Sequence, residues 1–178
     1  MALNEEYDFN DVRYLISSKA GVLMPAGGTD EKALGKKQQI SYEVGLSFLS
    51  RPDKKLFEPG TRLVRLDFPV NFALFMAVWW MRREIMDLML RSSDVGAAAL
   101  RREWQNLAAM PKPNKGIRTC IYEIVLTRPA YAWVGIASAR FHKSSGAEQI
   151  FLPNLARGAG PGRSDHARLL ASYTVPAI

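Results

Sequence analysis

At 178 residues the chain is long enough for one domain with a real core, and 48% hydrophobic against 23% charged residues exclude a disordered protein. Twenty-four Lys and Arg against 17 Asp and Glu give a formal charge of +7, which favours an acidic partner, nucleic acid or an anionic surface. A single cysteine, Cys120, excludes an intrachain disulfide, and with only His142 and His166 beside it no usual zinc spacing can form, so no metal is expected.

The opening MALNEEYDFND is acidic and lacks the basic region and apolar run of a signal peptide. Cytoplasmic synthesis is expected, with any export using machinery that needs no such signal. Asp8 or Asn10 can cap a short helix carrying Val12, Leu15 and Ile16, which ends near Gly21. LMPAGGTD is turn chemistry, so residues 1–37 read as a helical and loop extension to a single domain with its core at 38–155. From 40 to 48, Ile40, Tyr42, Val44, Leu46 and Phe48 alternate with small or polar residues, the pattern of a strand with one solvated face.

RPDKKLFEPG reads as a loop whose Pro59-Gly60 turn delivers the chain into a strand over 61–68. There Arg62, Val64, Leu66 and Phe68 share one face, and Leu63, Arg65 and Asp67 share the other. Arg65 beside Asp67 reads either as an ion pair at a strand edge or as an anion-binding arginine in a cleft. FALFMAVWWM at 72–81 is continuously apolar but well short of the roughly 20 residues of a membrane span. It reads as buried core leading into a helix with Ile85, Met86, Leu88, Met89 and Leu90 on its apolar side. Ser92, Ser93 or Asp94 can cap a second helix, VGAAALRREWQNLAAM, stopped by Pro111 and Pro113. Trp79 and Trp80 cannot share a face, and each reads as core or as a wall that stacks a planar ring.

Residues 116–155 hold a strand over 117–127, ended near Pro129, a second over 131–137 and a third over 149–152. A polar connection through His142 and Gly146 separates the last two and suits the wall of a ligand cleft. GAGPG after Leu155 opens a flexible C-terminal segment, 156–178, whose Arg157 and Arg163 read as solvated or as phosphate clamps. Its closing ARLLASYTVPAI reads as a short helix or an edge strand. The predicted class is α+β, a mixed, mostly antiparallel sheet with two helices inserted between early and late strands. No glycine-rich dinucleotide fingerprint or phosphate loop occurs, so a Rossmann or P-loop mode of cofactor binding is not expected.

PGTRLVRLDF at 59–68, the Trp79-Trp80 pair, and PAYAWVGIASAR followed by EQIFLPNL together resemble a group of small bacterial proteins. That group is similar to the ADP-ribosyltransferase-like fold of bacterial toxins and secretion-system effectors, over residues 56–155. The resemblance implies an NAD-consuming ADP-ribosyltransferase or NAD glycohydrolase, with NAD as substrate and a cognate immunity protein as candidate partner. In such enzymes a first-strand arginine contacts NAD phosphate, an aromatic region packs around the nicotinamide ribose, and a late glutamate stabilises the transition state. Carried over, Arg65, with Arg62 second, would hold NAD, and Trp79 and Trp80 would line the nicotinamide side. Glu148 and Gln149 occupy the late catalytic position, where the pattern sets glutamine at Gln149. Ala77 and Val78 stand where a serine precedes the tryptophans.

Breaking the nicotinamide-ribose bond develops positive charge on the ribose, and one well-placed carboxylate is worth about 3 kcal/mol there. Neighbours on a strand face opposite ways, so only one of Glu148 and Gln149 can look into a cleft. The competing reading is a non-catalytic basic module that binds nucleic acid or an acidic protein through scattered arginines, a mode that weakens steeply with salt.

Overall fold

The computed structural model describes residues 1–6, 14–17, 22–25, 48, 52–67, 74–92, 119–137, 148–156, 159 and 162–175. Two short strands, β1 (Tyr14–Ser17) and β2 (Val22–Pro25), pair antiparallel near the N-terminus. β1 stands where a short helix was expected, and β2 stands at the turn expected in LMPAGGTD. A helix of about three turns is marginal on its own, whereas a partner strand satisfies the same backbone groups in pairs.

The remaining strands form one sheet. They are β3 (Asp53–Phe57), β4 (Arg62–Asp67), β5 (Trp79–Arg82), β6 (Thr119–Leu126), β7 (Ala130–Ile136), β8 (Glu148–Phe151) and β9 (Ala167–Val175). Their order is β3-β7-β8-β5-β4-β6-β9, with every pairing antiparallel.

This architecture corrects the expected two inserted helices: the described residues are dominated by strands and contain one α-helix, Arg83–Ser92. The second expected helix, 95–110, lies outside the described residues. So does the strand expected over 40–48, apart from Phe48, which bridges Ala137. The apolar run at 72–81 does not pass straight into a helix. It makes a 3-10 turn at Leu74–Met76 and then strand β5, whose Trp80 and Met81 are buried on opposite faces. A strand covered on both sides has no alternation to show, so a continuous apolar run hides it. β3 was hidden for the opposite reason. It is an edge strand whose Asp53, Lys54 and Lys55 are exposed, the kind of charge that protects an open edge and imitates a loop.

The sheet must fold over on itself. β3 and β4 stand four places apart in it, yet only residues 58–61 join them, and residues 127–129 likewise carry the chain from β6 to β7 across three intervening strands. Gly60, at φ 91°, makes the first of these turns, and its N–H donates to the Leu126 carbonyl at 2.8 Å. β5 is the seam. Trp79 and Trp80 pair with Phe151 and Ile150 of β8, while Met81 and Arg82 pair with Val64 and Leu63 of β4. The face turned inward carries the core, including Leu63, Trp80, Ile124, Leu126, Val134 and Ile150. Asn4 and Asn154, both at positive φ and both buried, tie the N-terminus to the segment after β8. Asn154 donates to Asn4 Oδ1 at 2.6 Å, and Asn4 donates to the carbonyls of Tyr131 and Pro153 at 3.0 Å.

β9 starts at a serine turn, where Ser164 Oγ accepts the N–H groups of His166 and Ala167 at 3.1 and 3.0 Å. Burial pushes the His166 imidazole below its ordinary pKa, and the Arg128 charge adds to that. The unfolded chain therefore takes up a proton that the folded one resists. Stability is retained above the ordinary histidine range, about 6.5, and lost as pH falls through it. Urea midpoints measured from pH 7.5 to 5.5 are expected to fall for the parent and to fall less steeply for His166→Gln. Parallel slopes would remove His166 as the cause.

Candidate functional site

Strand alternation sorts the six residues singled out by sequence onto two faces of the sheet, three on each. Arg65 lies two places from Leu63, Trp80 is itself in the core, and Glu148 lies two places from Ile150, so these three share the inner face. Arg62, Trp79 and Gln149 take the outer face.

On the inner face Arg65 is buried, 8% exposed, rather than the half-open cleft arginine its strand position suggested. Its Nη1 donates to the Trp79 carbonyl at 3.3 Å and its guanidinium lies 5.7 Å from the Trp80 ring centre, so the indole face and a backbone oxygen support its charge. Trp80 is fixed in turn by an Nε1 hydrogen bond to the Ala77 carbonyl at 3.2 Å.

Beside this buried layer is an accessible one. Glu148 accepts a hydrogen bond from Arg82 Nε at 2.6 Å, with side chains 29% and 39% exposed, and the Arg82 guanidinium sits 5.2 Å from the Phe57 ring centre. Register explains the meeting. Trp80 pairs with Ile150, and Arg82 and Glu148 lie two places from them on antiparallel strands, so the two side chains come side by side; with the Leu63–Arg82 and Glu148–Ile136 pairs they make one row across four strands. The sequence takes the apolar run at 72–81 directly into a helix and so passes over Arg82. Reading WWMR as a strand, with Trp80 and Arg82 two apart, would have found it.

The outer face holds a different network. Glu123 on β6 is fully buried and accepts from Arg62 Nε at 2.5 Å and from Arg83 Nη1 at 2.9 Å. Arg83, the first residue of the helix, also reaches Asp87 one turn on at 2.8 Å. Burial opposes the Arg83 charge, but the Asp87 hydrogen bond and the Glu123 carboxylate outweigh it and hold its pKa above the ordinary value. Arg62 is thus engaged on the side of the sheet away from Glu148. Trp79 packs against Phe48 and Phe151 at 5.4 and 5.0 Å between ring centres, and Gln149 is buried on this side. Gly135 lets Phe48 lie flat here, since a Cβ would come within 2.6 Å of the Phe48 ring.

Chemically, the inner face offers an accessible carboxylate, Glu148, with a cation beside it, next to a buried arginine on an indole, and a second exposed carboxylate, Asp53, at the β3 edge opposite Val134. Among the described residues no three of His, Cys, Asp and Glu converge to hold a metal, and no helix is long and apolar enough to cross a membrane.

No protein-family model matches the chain, and no curated protein matches it in sequence. Among solved structures it is similar to Rhs1-CT in complex with its cognate immunity protein RhsI1. The likeness has 16% identity and a TM-score of 0.45, covering 70% of this chain and 82% of that one.

Proposed function

We propose that the protein is an NAD-consuming, toxin-like enzyme, an ADP-ribosyltransferase or NAD glycohydrolase, with Glu148 as the carboxylate that faces the ribose. One observation supports the reading above others. Arg65, Trp80 and Glu148 come from three stretches distant in sequence, yet they lie on one face of β4, β5 and β8, which are neighbours in the sheet. Three of the six residues that the family resemblance selected thereby form a contiguous inner-face group.

In this reading the bond from ribose C1′ to the nicotinamide nitrogen breaks, and nicotinamide leaves with the bonding electron pair. Glu148 stabilises the positive charge left on the ribose. Water, or a nucleophile on a target, then bonds to C1′ and gives up a proton. Arg65 and Trp80 form a rigid, positively charged neighbour to that carboxylate on the same face, and Arg82 is the accessible cation for phosphate. Arg62, Arg82 and Arg83 are engaged with carboxylates and Arg65 lies on Trp80, which favours a built site at β4 and β5, while Arg128, Arg163 and Arg168 are exposed. Synthesis in the cytoplasm, release as an effector and neutralisation by an acidic immunity protein belong to the same proposal, the last matching the +7 charge.

The test is direct. Purified protein incubated with NAD is expected to release nicotinamide, followed by chromatography, with ADP-ribose formed in equal amount when water is the acceptor. No release at millimolar NAD, with or without a cell lysate as acceptor source, would overturn the assignment.

A further inference from the structure

We infer that Arg82 is a substrate-operated latch on Glu148, which makes the site selective for phosphate-bearing nicotinamide substrates. The inference rests on the NAD-consuming reading above. Arg82 Nε stands 2.6 Å from Glu148 Oε1, so in the free protein the carboxylate's charge is directed at a guanidinium. A carboxylate neutralised in this way is a poor stabiliser of a developing cation, since the two positive charges compete for it. Both side chains are partly exposed, at 39% and 29%, and solvent-exposed ion pairs are weak. The contact can therefore be exchanged for a stronger one.

NAD carries such a competitor in its pyrophosphate. A guanidinium grips phosphate oxygens through two parallel N–H bonds, a geometry that its single Nε contact with Glu148 does not use. The surroundings favour the exchange. Among the described residues, the neighbours of the pair along its row, Leu63 and Ile136, carry no charge. Beneath it the Phe57 ring, 5.2 Å from the guanidinium, gives a flat seat on which the head group can turn from carboxylate to phosphate. Binding of the pyrophosphate draws Arg82 off, and Glu148 is freed for the ribose at the moment substrate is present.

The consequence is a crossover between two substrates in which the same bond breaks. Nicotinamide riboside has the ribosyl-nicotinamide bond of NAD and no phosphate, so it cannot open the latch. In both, nicotinamide leaves with the electron pair and water supplies the oxygen on C1′ while losing a proton.

The experiment compares the parent, Arg82→Gln and Arg82→Lys on NAD and on nicotinamide riboside, with circular dichroism melts to confirm that each variant is folded. For Arg82→Gln, kcat/KM on NAD is expected to fall about tenfold or more, the scale of a lost charge-assisted hydrogen bond, while cleavage of nicotinamide riboside rises several-fold. Arg82→Lys, which keeps the charge without the fork, should fall between. Inorganic pyrophosphate added with nicotinamide riboside should stimulate the parent and leave Arg82→Gln unchanged. If Arg82→Gln loses both activities alike, or neither, the latch is wrong while the NAD reading stands. If the parent cleaves neither substrate, the NAD reading itself fails and the latch falls with it.

Discussion

Glu148→Gln is expected to lower NAD turnover by about a hundredfold or more and to leave NAD affinity nearly intact. The substitution keeps the size of the side chain and an oxygen that can still accept from Arg82 Nε, so the row of Leu63, Arg82, Glu148 and Ile136 should persist. What it removes is the negative charge aimed at the ribose, which matters in the transition state and little in the ground state. Gln149→Ala is the control. Gln149 is buried on the opposite face of β8, so its loss should appear in stability and only indirectly in turnover. Rates for nicotinamide release by both variants decide the matter, and parental turnover in Glu148→Gln would take the chemistry away from this strand.

Trp80→Ala is expected to destabilise the fold by about 3 to 5 kcal/mol, the range for deleting a large buried aromatic. Trp80 is 1% exposed and sits on β5, where the sheet folds over between β8 and β4. Its ring also carries the Arg65 guanidinium, and its Nε1 binds the Ala77 carbonyl, so truncation leaves a cavity and a buried cation with less support. Trp79→Ala should cost less, because Trp79 is only partly buried and packs on the outer face with Phe48 and Phe151. Denaturant unfolding of both variants gives the comparison. A Trp80→Ala loss below about 1 kcal/mol would mean that the seam is held by something other than this indole.

Much of the sheet was legible in the residues themselves. Alternation over 61–68 and 117–127 marked β4 and β6, and the punctuation at Pro129 marked the passage into β7. Strands buried on one face carry their own signature, because the pleat sends successive side chains to opposite sides. β5 carried none, being buried on both faces, and β3 carried the charges of a loop because it closes an edge. The helix content was overstated for a related reason. An apolar run followed by Arg82, Arg83 and Glu84 fits a helical stripe as well as it fits a strand meeting a helix at Arg83, and local pattern alone does not choose between them.

The site divides in the same way. That Glu148 and Gln149 face apart, and that Trp79 and Trp80 do, follows from the chain alone. Which member of each pair looks inward was decided by pairing between strands far apart in sequence, with Ile150 set against both Val134 and Trp80. The same long-range register buried Arg65 on an indole, sent Arg62 to a carboxylate on the far face, and brought Arg82 to Glu148. Alternation is a property of one strand, and the sequence by itself determined it. Neighbourhood is a property of the folded sheet, set by which apolar face must leave water and which strands can meet to bury it, and only the tertiary structure decided that.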